Sequence, residues 1–439
     1  MAHETEAACL LRSGSMYPIR VGLKPSNSDP IFLGIKPGAI SIYFGDAPIY
    51  HFDLDGRWQR AFVDGLHYLK GLDTAVHTID RVREGENLVL RRRALSFAET
   101  VDLDEHLRSM AIGLIVGLGG SLEPIDPPPG CIPLTIETAR TLVERIALWD
   151  TPAWFAHRER YLGTYGPIPF IPPDASHPVI LQATLGHERG PGFGGENPAT
   201  YYERSSTEFA EHARTVAGLL GRRAIQCRQV YLAGADAMRR PLDAILADLD
   251  IASGTFAMSD GRPRPRARDV NPLDDAPSLD GVHAFLHEFD RPTPDPTGWD
   301  ALRARHFRRL IVGIESGSKR VRSLYGRDWN DDGLRDWVAS CPVGLGLVVV
   351  VGAGGRDFAD DHVEATARLV GSLSIGAGSL VTLVDADELD TRPTDTRGFE
   401  PLDTHAMSEQ RVDLKSRLAA ALSPRKVKVA TYSVEKRWQ

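Results

Sequence analysis

Between residues 178 and 390 the sequence alternates between short apolar runs and helical stretches. The runs are PVILQAT, CRQVYLAGA, GVHAFLHEF, RRLIVGIES, GLGLVVVVGAGG and GSLVTLVDAD. Strands that alternate with helices predict a parallel sheet with helical crossovers, and a continuously apolar run such as LVVVV is typical of a strand buried on both faces. The pattern fits both an open doubly wound sheet and an incomplete (β/α) barrel. In either architecture, ligands bind at the carboxyl ends of the strands.

The first part of the chain has a different pattern. Short runs rich in aromatic and β-branched residues, separated by turn signals such as GDAP and REGEN, predict antiparallel strands over residues 30–95. Apolar residues with helical spacing follow over 98–118 and 133–148. Farther along the chain, SSTE at 205–208 has the pattern of a capping box at the start of a helix. The predicted organisation is a β-rich antiparallel domain (1–97), a helical and proline-rich linker region (98–177), a (β/α) barrel (178–390) and a C-terminal helix and tail (391–439).

Composition narrows the classes of function. The formal net charge of −8 argues against a general nucleic-acid binder, and no run of 18 apolar residues predicts a membrane span. The four cysteines, at 9, 131, 227 and 341, form no CxxC pair, which favours a reducing, cytoplasmic location. The expected partner is therefore an unidentified small molecule or protein, with no general nucleic-acid binding and no membrane association.

Small and acidic residues follow the predicted strands at the edge where chemistry is expected. The segments are LAGADAM, VGIESGS, VVGAGG and LVDADEL. Glycines there let a ligand approach the backbone, and a carboxylate can bind an amine or a hydroxyl. The candidate binding residues are Gly234, Asp236, Gly313, Glu315, Ser316, Gly352, Gly354 and Gly355. The alternative is that these glycines only end the strands.

Three other motifs are weaker indications of a binding site. VGAGGRD lacks the third glycine of a dinucleotide fingerprint, because Asp357 stands there, and GIESGSK has the wrong spacing for a phosphate-binding loop. His283 and His287 would share one face of a strand, but the sequence shows no third metal ligand, so a paired structural role is favoured over a metal site.

The order of these segments resembles the radical S-adenosylmethionine (radical SAM) superfamily, in its oxygen-independent coproporphyrinogen oxidase and elongator-like branch. RRLIVGIESGSKRV resembles that branch's fourth-strand motif, and LVVVVGAGG followed by HVEATARLV resembles its fifth strand, glycine-rich turn and helix. VYLAGADAM resembles the second strand, and RSSTEFAEHARTVAGLL the helix after the cluster loop. The resemblance covers about half the chain. It implies an α/β fold with a partial parallel (β/α)6 barrel of radical SAM type.

In that family the loop after the first strand carries Cys-x3-Cys-x2-Cys, whose thiolates hold a [4Fe–4S] cluster that binds S-adenosylmethionine. Aligned on ATLGHERGPGFGG, the three positions fall at His187, Pro191 and Gly194. Proline and glycine offer no side-chain ligand, and soft thiolates are what such clusters require. We therefore expect a degenerate motif that holds no metal and no [4Fe–4S] cluster, while S-adenosylmethionine stays open as a ligand.

The function that the sequence favours is a binding or accessory protein that retains a nucleotide or S-adenosylmethionine pocket. Two alternatives stay open. One is an enzyme with non-radical chemistry at the strand ends, with Glu315, Asp236 and Asp385 as candidate acids or bases. The other is a radical enzyme whose cluster is bound atypically or completed by a partner.

Overall fold

The computed structural model describes residues 19–25, 29–84, 87–126, 131–166, 168, 171–172, 177–186, 201–234, 237–259, 278–389 and 398–432. Within these residues the chain forms one large antiparallel sheet, one parallel sheet and the helices that cover them. No described helix combines the length and the apolarity needed to cross a membrane.

The antiparallel sheet is a meander built from the first part of the chain. Its strands are β1 (Ile19–Pro25), β2 (Ile31–Lys36), β3 (Ala39–Phe44), β4 (Ile49–Asp53), β5 (Trp58–Val63), β6 (Leu66–Lys70), β7 (Val76–Glu84) and β8 (Asn87–Ala94). Consecutive strands pair from β1 to β8. Two later strands, β9 (Leu122–Ile125) and β10 (Ile132–Pro133), join at the β1 edge. The sheet therefore reaches beyond the predicted boundary at residue 97.

Three helices follow this sheet, and they belong to its core rather than to a free linker. They are α1 (Phe97–Gly117), α2 (Ile136–Ala147) and α3 (Thr151–Thr164). Ser96 and Glu99 form a capping box at the start of α1, and Asp150 caps α3. Leu107 of α1, Leu142 of α2 and Trp154 of α3 are buried with the apolar side chains of the sheet. Burying this apolar face explains why a stretch predicted as a linker packs as part of the domain.

The parallel sheet confirms the alternation read from the sequence. Its strands are β11 (Pro178–Gln182), β14 (Gln229–Ala233), β15 (Val282–Leu286), β16 (Phe307–Glu315), β17 (Gly344–Val351), β18 (Leu380–Asp385) and β19 (Lys428–Tyr432), paired in that order. A small ribbon of β12 (Thr184–Leu185) and β13 (Tyr202–Glu203) follows the first strand. Because neighbours in the sheet follow chain order, the doubly wound alternative, in which the strand order reverses, does not apply.

Helices connect these strands. They are α4 (Ser206–Leu220), α5 (Leu242–Thr255), α6 (Pro296–Ala304), α7 (Lys319–Leu324), α8 (Asp331–Ser340), α9 (Ala359–Ser372) and α10 (Thr404–Leu422). The predicted capping box at the start of α4 is confirmed, with Ser205 and Glu208 bonding each other's backbone amides. Strand β19 lies beyond the predicted barrel end at 390. Its charged sequence, KVATY at an exposed edge, lacks the apolar run that revealed the other strands.

Arg57 ties the antiparallel sheet to helix α4. Its guanidinium is buried and forms an ion pair with Asp53, with Nε 2.6 Å from Oδ2. It also donates to the backbone carbonyls of Leu219, at 2.7 Å, and Leu220 at the end of α4. The last carbonyls of a helix lack partners within the helix and carry partial negative charge, so a cation stabilises them.

Candidate functional site

The carboxyl ends of β15 and β16 bring three buried charged side chains together. Glu315 is the last residue of β16 and is 7% exposed, and Glu288 follows β15 by two residues. Arg327 comes from the segment between α7 and α8 and reaches both acids. Its Nη1 lies 2.9 Å from Oε1 of Glu288, and its Nε lies 3.3 Å from Oε1 of Glu315. We call these three residues the Glu315 cluster.

In the Glu315 cluster two carboxylates contact the same guanidinium, and the charge of Arg322 also acts on Glu315. Oε2 of Glu315 is buried and has no hydrogen-bond partner among the described residues. Burial is the main cause that raises the pKa of Glu315; Arg327 opposes the shift, and the neighbouring Glu288 adds to it. The folded chain therefore holds a carboxylate that a cation or a hydroxyl donor would stabilise.

The backbone at Glu315 is itself unusual. Its φ is +60°, a left-handed value that is uncommon for a residue other than glycine, and the pairing of β16 with β17 shifts register between Gly313 and Glu315. Gly313 lies against the β15 side chains, because a Cβ there would stand 2.7 Å from the ring of Phe285 and 3.2 Å from Cβ of His287. The missing side chain lets the two strands approach where Glu315 turns inward.

Arg322 holds the turn that follows Glu315. Its Nη1 donates to the carbonyls of Ser316, at 3.2 Å, and Gly317, at 3.0 Å, and its Nη2 lies 2.7 Å from Asp331. The guanidinium also stacks over the ring of Trp329, 3.9 Å from its centroid. These contacts fix the backbone beside the Glu315 cluster.

Ser316, a predicted binding residue, is bonded to helix α9. Its hydroxyl lies 2.7 Å from Nδ1 of His362 and accepts from the amide of Ser318 at 3.0 Å. Both Ser316 and His362 are completely buried, and burial lowers the pKa of His362 to about 4. The neutral imidazole and the hydroxyl thus form a structural contact between β16 and α9.

The other predicted glycines lie where the backbone is crowded by the chain itself. At Gly234, just after β14, a Cβ would stand 2.0 Å from Oγ1 of Thr184. At Gly355, after β17, φ is +63° and a Cβ would stand 2.1 Å from the carbonyl oxygen of Glu400. Gly352 and Gly354 likewise face side chains of the chain itself, Met407 of α10 and Val321 of α7. Asp236 lies outside the described residues.

Two members of the Glu315 cluster were missing from the sequence prediction. Glu288 follows His287 in HAFLHEF, where no pattern marks it as a site residue, and Arg327 lies in a segment with no motif. Asp385, an alternative acid, is paired with Arg411 of α10, whose Nε lies 3.0 Å from Oδ1. That pairing leaves Asp385 less available for chemistry than Glu315.

The described cysteines lie away from the candidate site. Cys227 precedes β14 and Cys341 precedes β17, so both are at the amino ends of parallel strands, opposite Glu315. Cys131 adjoins β10 in the antiparallel sheet. Within the described ranges no group of three or more His, Cys, Asp or Glu side chains could hold a metal ion. Positions 187, 191 and 194 lie outside the described residues.

Comparison with known proteins gives structural similarity alone. No family model matches the sequence, and no curated protein matches it. The structure is similar to coproporphyrinogen III oxidase from Escherichia coli, a radical SAM enzyme, with 13% identity over 49% of this chain and 44% of that chain, and a TM-score of 0.34. It is also similar to Elp3 from Methanocaldococcus infernus, with 10% identity, 50% and 51% coverage, and a TM-score of 0.34.

A third similar structure covers more of both chains. It is the FeFe-hydrogenase maturase HydG from Carboxydothermus hydrogenoformans, with 12% identity, 78% and 76% coverage, and a TM-score of 0.35. This chain spans about half the length of the coproporphyrinogen oxidase and Elp3 structures. Of the described cysteines, Cys227 and Cys341 lie at the amino edge of the parallel sheet, opposite the edge that carries Glu315. The chain is similar in structure to radical SAM proteins.

Proposed function

We propose that this chain is a binding protein on a partial (β/α) barrel of radical SAM type, with a degenerate cluster motif and without radical chemistry. It binds a small molecule whose cationic or hydroxyl group contacts Glu315 at the carboxyl end of β16. S-adenosylmethionine, which carries a sulfonium and an ammonium group, is the first candidate ligand.

The observation that carries this proposal is the buried Oε2 of Glu315. A buried polar atom without a partner costs free energy, so each such atom in a folded protein calls for an explanation, and a ligand contact is one such explanation. Burial raises the pKa of this carboxyl, and Glu288 adds to the shift. A bound cation would reverse that shift by stabilising the ionised form, and the released free energy would favour binding.

The cysteine positions support binding without radical chemistry. The family's cluster needs three thiolates on one loop, and this sequence has His187, Pro191 and Gly194 there. Without the iron that chelates the amino acid end of S-adenosylmethionine, the contacts left are charge-assisted hydrogen bonds. Each contributes about 1.5–3 kcal/mol, so we expect a dissociation constant of roughly 10 μM or weaker.

Titration calorimetry with S-adenosylmethionine tests the proposal on three proteins. The wild type is compared with Glu315→Gln, which keeps the shape and removes the charge. The matched control is Glu364→Gln, which removes an exposed carboxylate of α9 that pairs with Arg368. We expect Glu315→Gln to weaken binding about tenfold or more and Glu364→Gln to leave it unchanged. Absence of binding to the wild type, or equal binding to all three, would contradict the proposal.

The raised pKa of Glu315 also favours a second candidate, an enzyme that uses this carboxyl as a general acid or base. A carboxyl with a raised pKa transfers protons more readily near neutral pH. In this alternative S-adenosylmethionine would be consumed during incubation. Mass spectrometry of the ligand after incubation separates the two, since the binding protein returns it unchanged.

A further inference from the structure

A cavity of about 410 Å³ lies in the N-terminal part of the molecule, far along the chain from the Glu315 cluster. Its walls are one face of α1 and one face of α3, and its floor comes from the end of β6 and the turn before β7. The volume is in the range of small-molecule sites, about 300–1,000 Å³. We call it the α1–α3 cavity.

The walls of the α1–α3 cavity are aromatic. Phe97 opens α1, and Phe155 and Trp154 lie on the first turn of α3. The rings of Phe97 and Phe155 have centroids 5.5 Å apart, although these side chains are 59% and 45% exposed. Two large apolar rings held together at an open mouth leave apolar surface in water, and a planar ligand would cover it.

The floor holds a buried ion pair. Nζ of Lys70 lies 2.6 Å from Oδ1 and 2.8 Å from Oδ2 of Asp104, and Trp58 donates its indole N–H to Oδ1 at 2.6 Å. The ammonium also lies 3.8 Å from the ring centroid of Trp154. Lys70 is 1% exposed, and burial lowers its pKa to about 8 despite Asp104. A polar, well-satisfied floor under aromatic walls is the composition of a specific pocket.

The remaining charges favour an anion. Lys70 and Asp104 neutralise each other, and Asp73 uses Oδ1 to accept from the amide of Ala75 in the turn. The exposed Arg158 lines the cavity and forms no salt bridge within 4.0 Å in the part of the chain that the structure describes, and its charge acts at longer range on Asp73.

We propose that the α1–α3 cavity binds a small aromatic carboxylate. The ring system lies between Phe97, Phe155 and Trp154, and the carboxylate pairs with Arg158. This site is separate from the proposed function at Glu315, and neither depends on the other.

Titration calorimetry of the full chain with 1-naphthoate tests the inference. The variant Arg158→Gln removes the exposed cation of the cavity, and the matched control Arg160→Gln changes an exposed arginine of the same helix that does not line the cavity. We expect 1-naphthoate to bind the wild type with a dissociation constant of about 1 mM or tighter, about tenfold weaker binding to Arg158→Gln, and unchanged binding to Arg160→Gln. Because Arg158 and Arg160 are exposed, neither substitution threatens the fold.

Two further probes sharpen the outcome. The neutral 1-naphthamide should bind the wild type no better than 1-naphthoate binds Arg158→Gln, since both lack the ion pair. The cation 1-naphthylmethylammonium should bind more weakly than 1-naphthoate. Tighter binding of the cation would assign the cavity to a ligand that pairs with Asp73 and would overturn the proposal. So would equal affinity of 1-naphthoate for wild type and Arg158→Gln, or no binding of 1-naphthoate to any of the proteins.

Discussion

The antiparallel and the parallel regions each bury charged side chains, but they balance them differently. In the antiparallel region Lys70 and Asp104 pair one to one, and Trp58 adds a third donor. In the parallel region one guanidinium, Arg327, serves both Glu288 and Glu315. The first arrangement satisfies its own charges, and the exposed Arg158 lines the same cavity. The second leaves a carboxylate oxygen without a partner among the described residues. A buried carboxylate oxygen without a described partner is a stronger indication of a ligand contact than a satisfied ion pair.

The largest expected effect is a loss of unfolding free energy, and it tests whether Lys70 and Asp104 stabilise the fold as a pair. Lys70→Met leaves Asp104 buried with only the Trp58 indole, and removing one partner of a buried pair costs about 3–5 kcal/mol of unfolding free energy. The double variant Lys70→Met/Asp104→Leu should regain much of that loss, because no charge is then left unpaired. Urea unfolding of wild type, both single variants and the double variant measures this coupling. Strictly additive losses would show that the two side chains act independently.

The effect of intermediate size is the loss of unfolding free energy at acid pH. One histidine from each region is compared. Burial lowers the pKa of His157 on α3 to about 3 and that of His362 on α9 to about 4, from 6.5. Since the folded state holds both neutral, their stabilisation is complete above pH 6.5 and is lost as the pH falls toward the folded pKa. Each group should contribute about 1 kcal/mol of lost stability per pH unit.

Unfolding free energies measured from pH 7 to pH 4.5 give the slope of stability against pH and check this expectation. His157→Gln and His362→Asn should each flatten it, by about the same amount. A wild-type slope that neither substitution changes would place the acid sensitivity in other groups. A slope changed by one substitution alone would show that the two regions respond to acid differently.

The smallest expected effect is on stability at the Glu315 cluster. Because the pKa of Glu315 is raised in the folded state, its ionised form penalises the fold at pH values above the unfolded pKa. Glu315→Gln removes that charge, while Arg327 keeps its ion pair with Glu288. The unfolding free energy at pH 7 should therefore stay within about 1 kcal/mol of wild type or rise. Thermal unfolding with Glu288→Gln as the control measures it. A loss above about 3 kcal/mol would make Glu315 a structural residue.

The sequence predicted those parts of the fold that local patterns encode. The six runs between 178 and 390 appear as parallel strands in chain order, because each carries its own apolar signal. Strand β19 was missed because its lysine-containing edge sequence lacks that signal, and α3 was missed because TPAWFAHRERYLGT shows no regular apolar spacing.

The candidate sites were predictable only in part for a related reason. Glu315 could be identified because it ends a strand, but its partners Glu288 and Arg327 come from two different segments. The α1–α3 cavity joins Lys70, Asp104 and Trp154, which are separated by dozens of residues in the chain. Spacing carries no information about such contacts, since tertiary packing alone creates them.

Iron content tests the proposal that the parallel region binds its ligand without a [4Fe–4S] cluster. The full chain would be purified anaerobically and incubated with iron and sulfide, and protein-bound iron, sulfide and visible absorption would then be measured. We expect well under one iron per chain and no broad cluster absorption, because the resemblance aligns His187, Pro191 and Gly194 with the ligand positions. About four irons and four sulfides per chain, with the matching absorption, would contradict it.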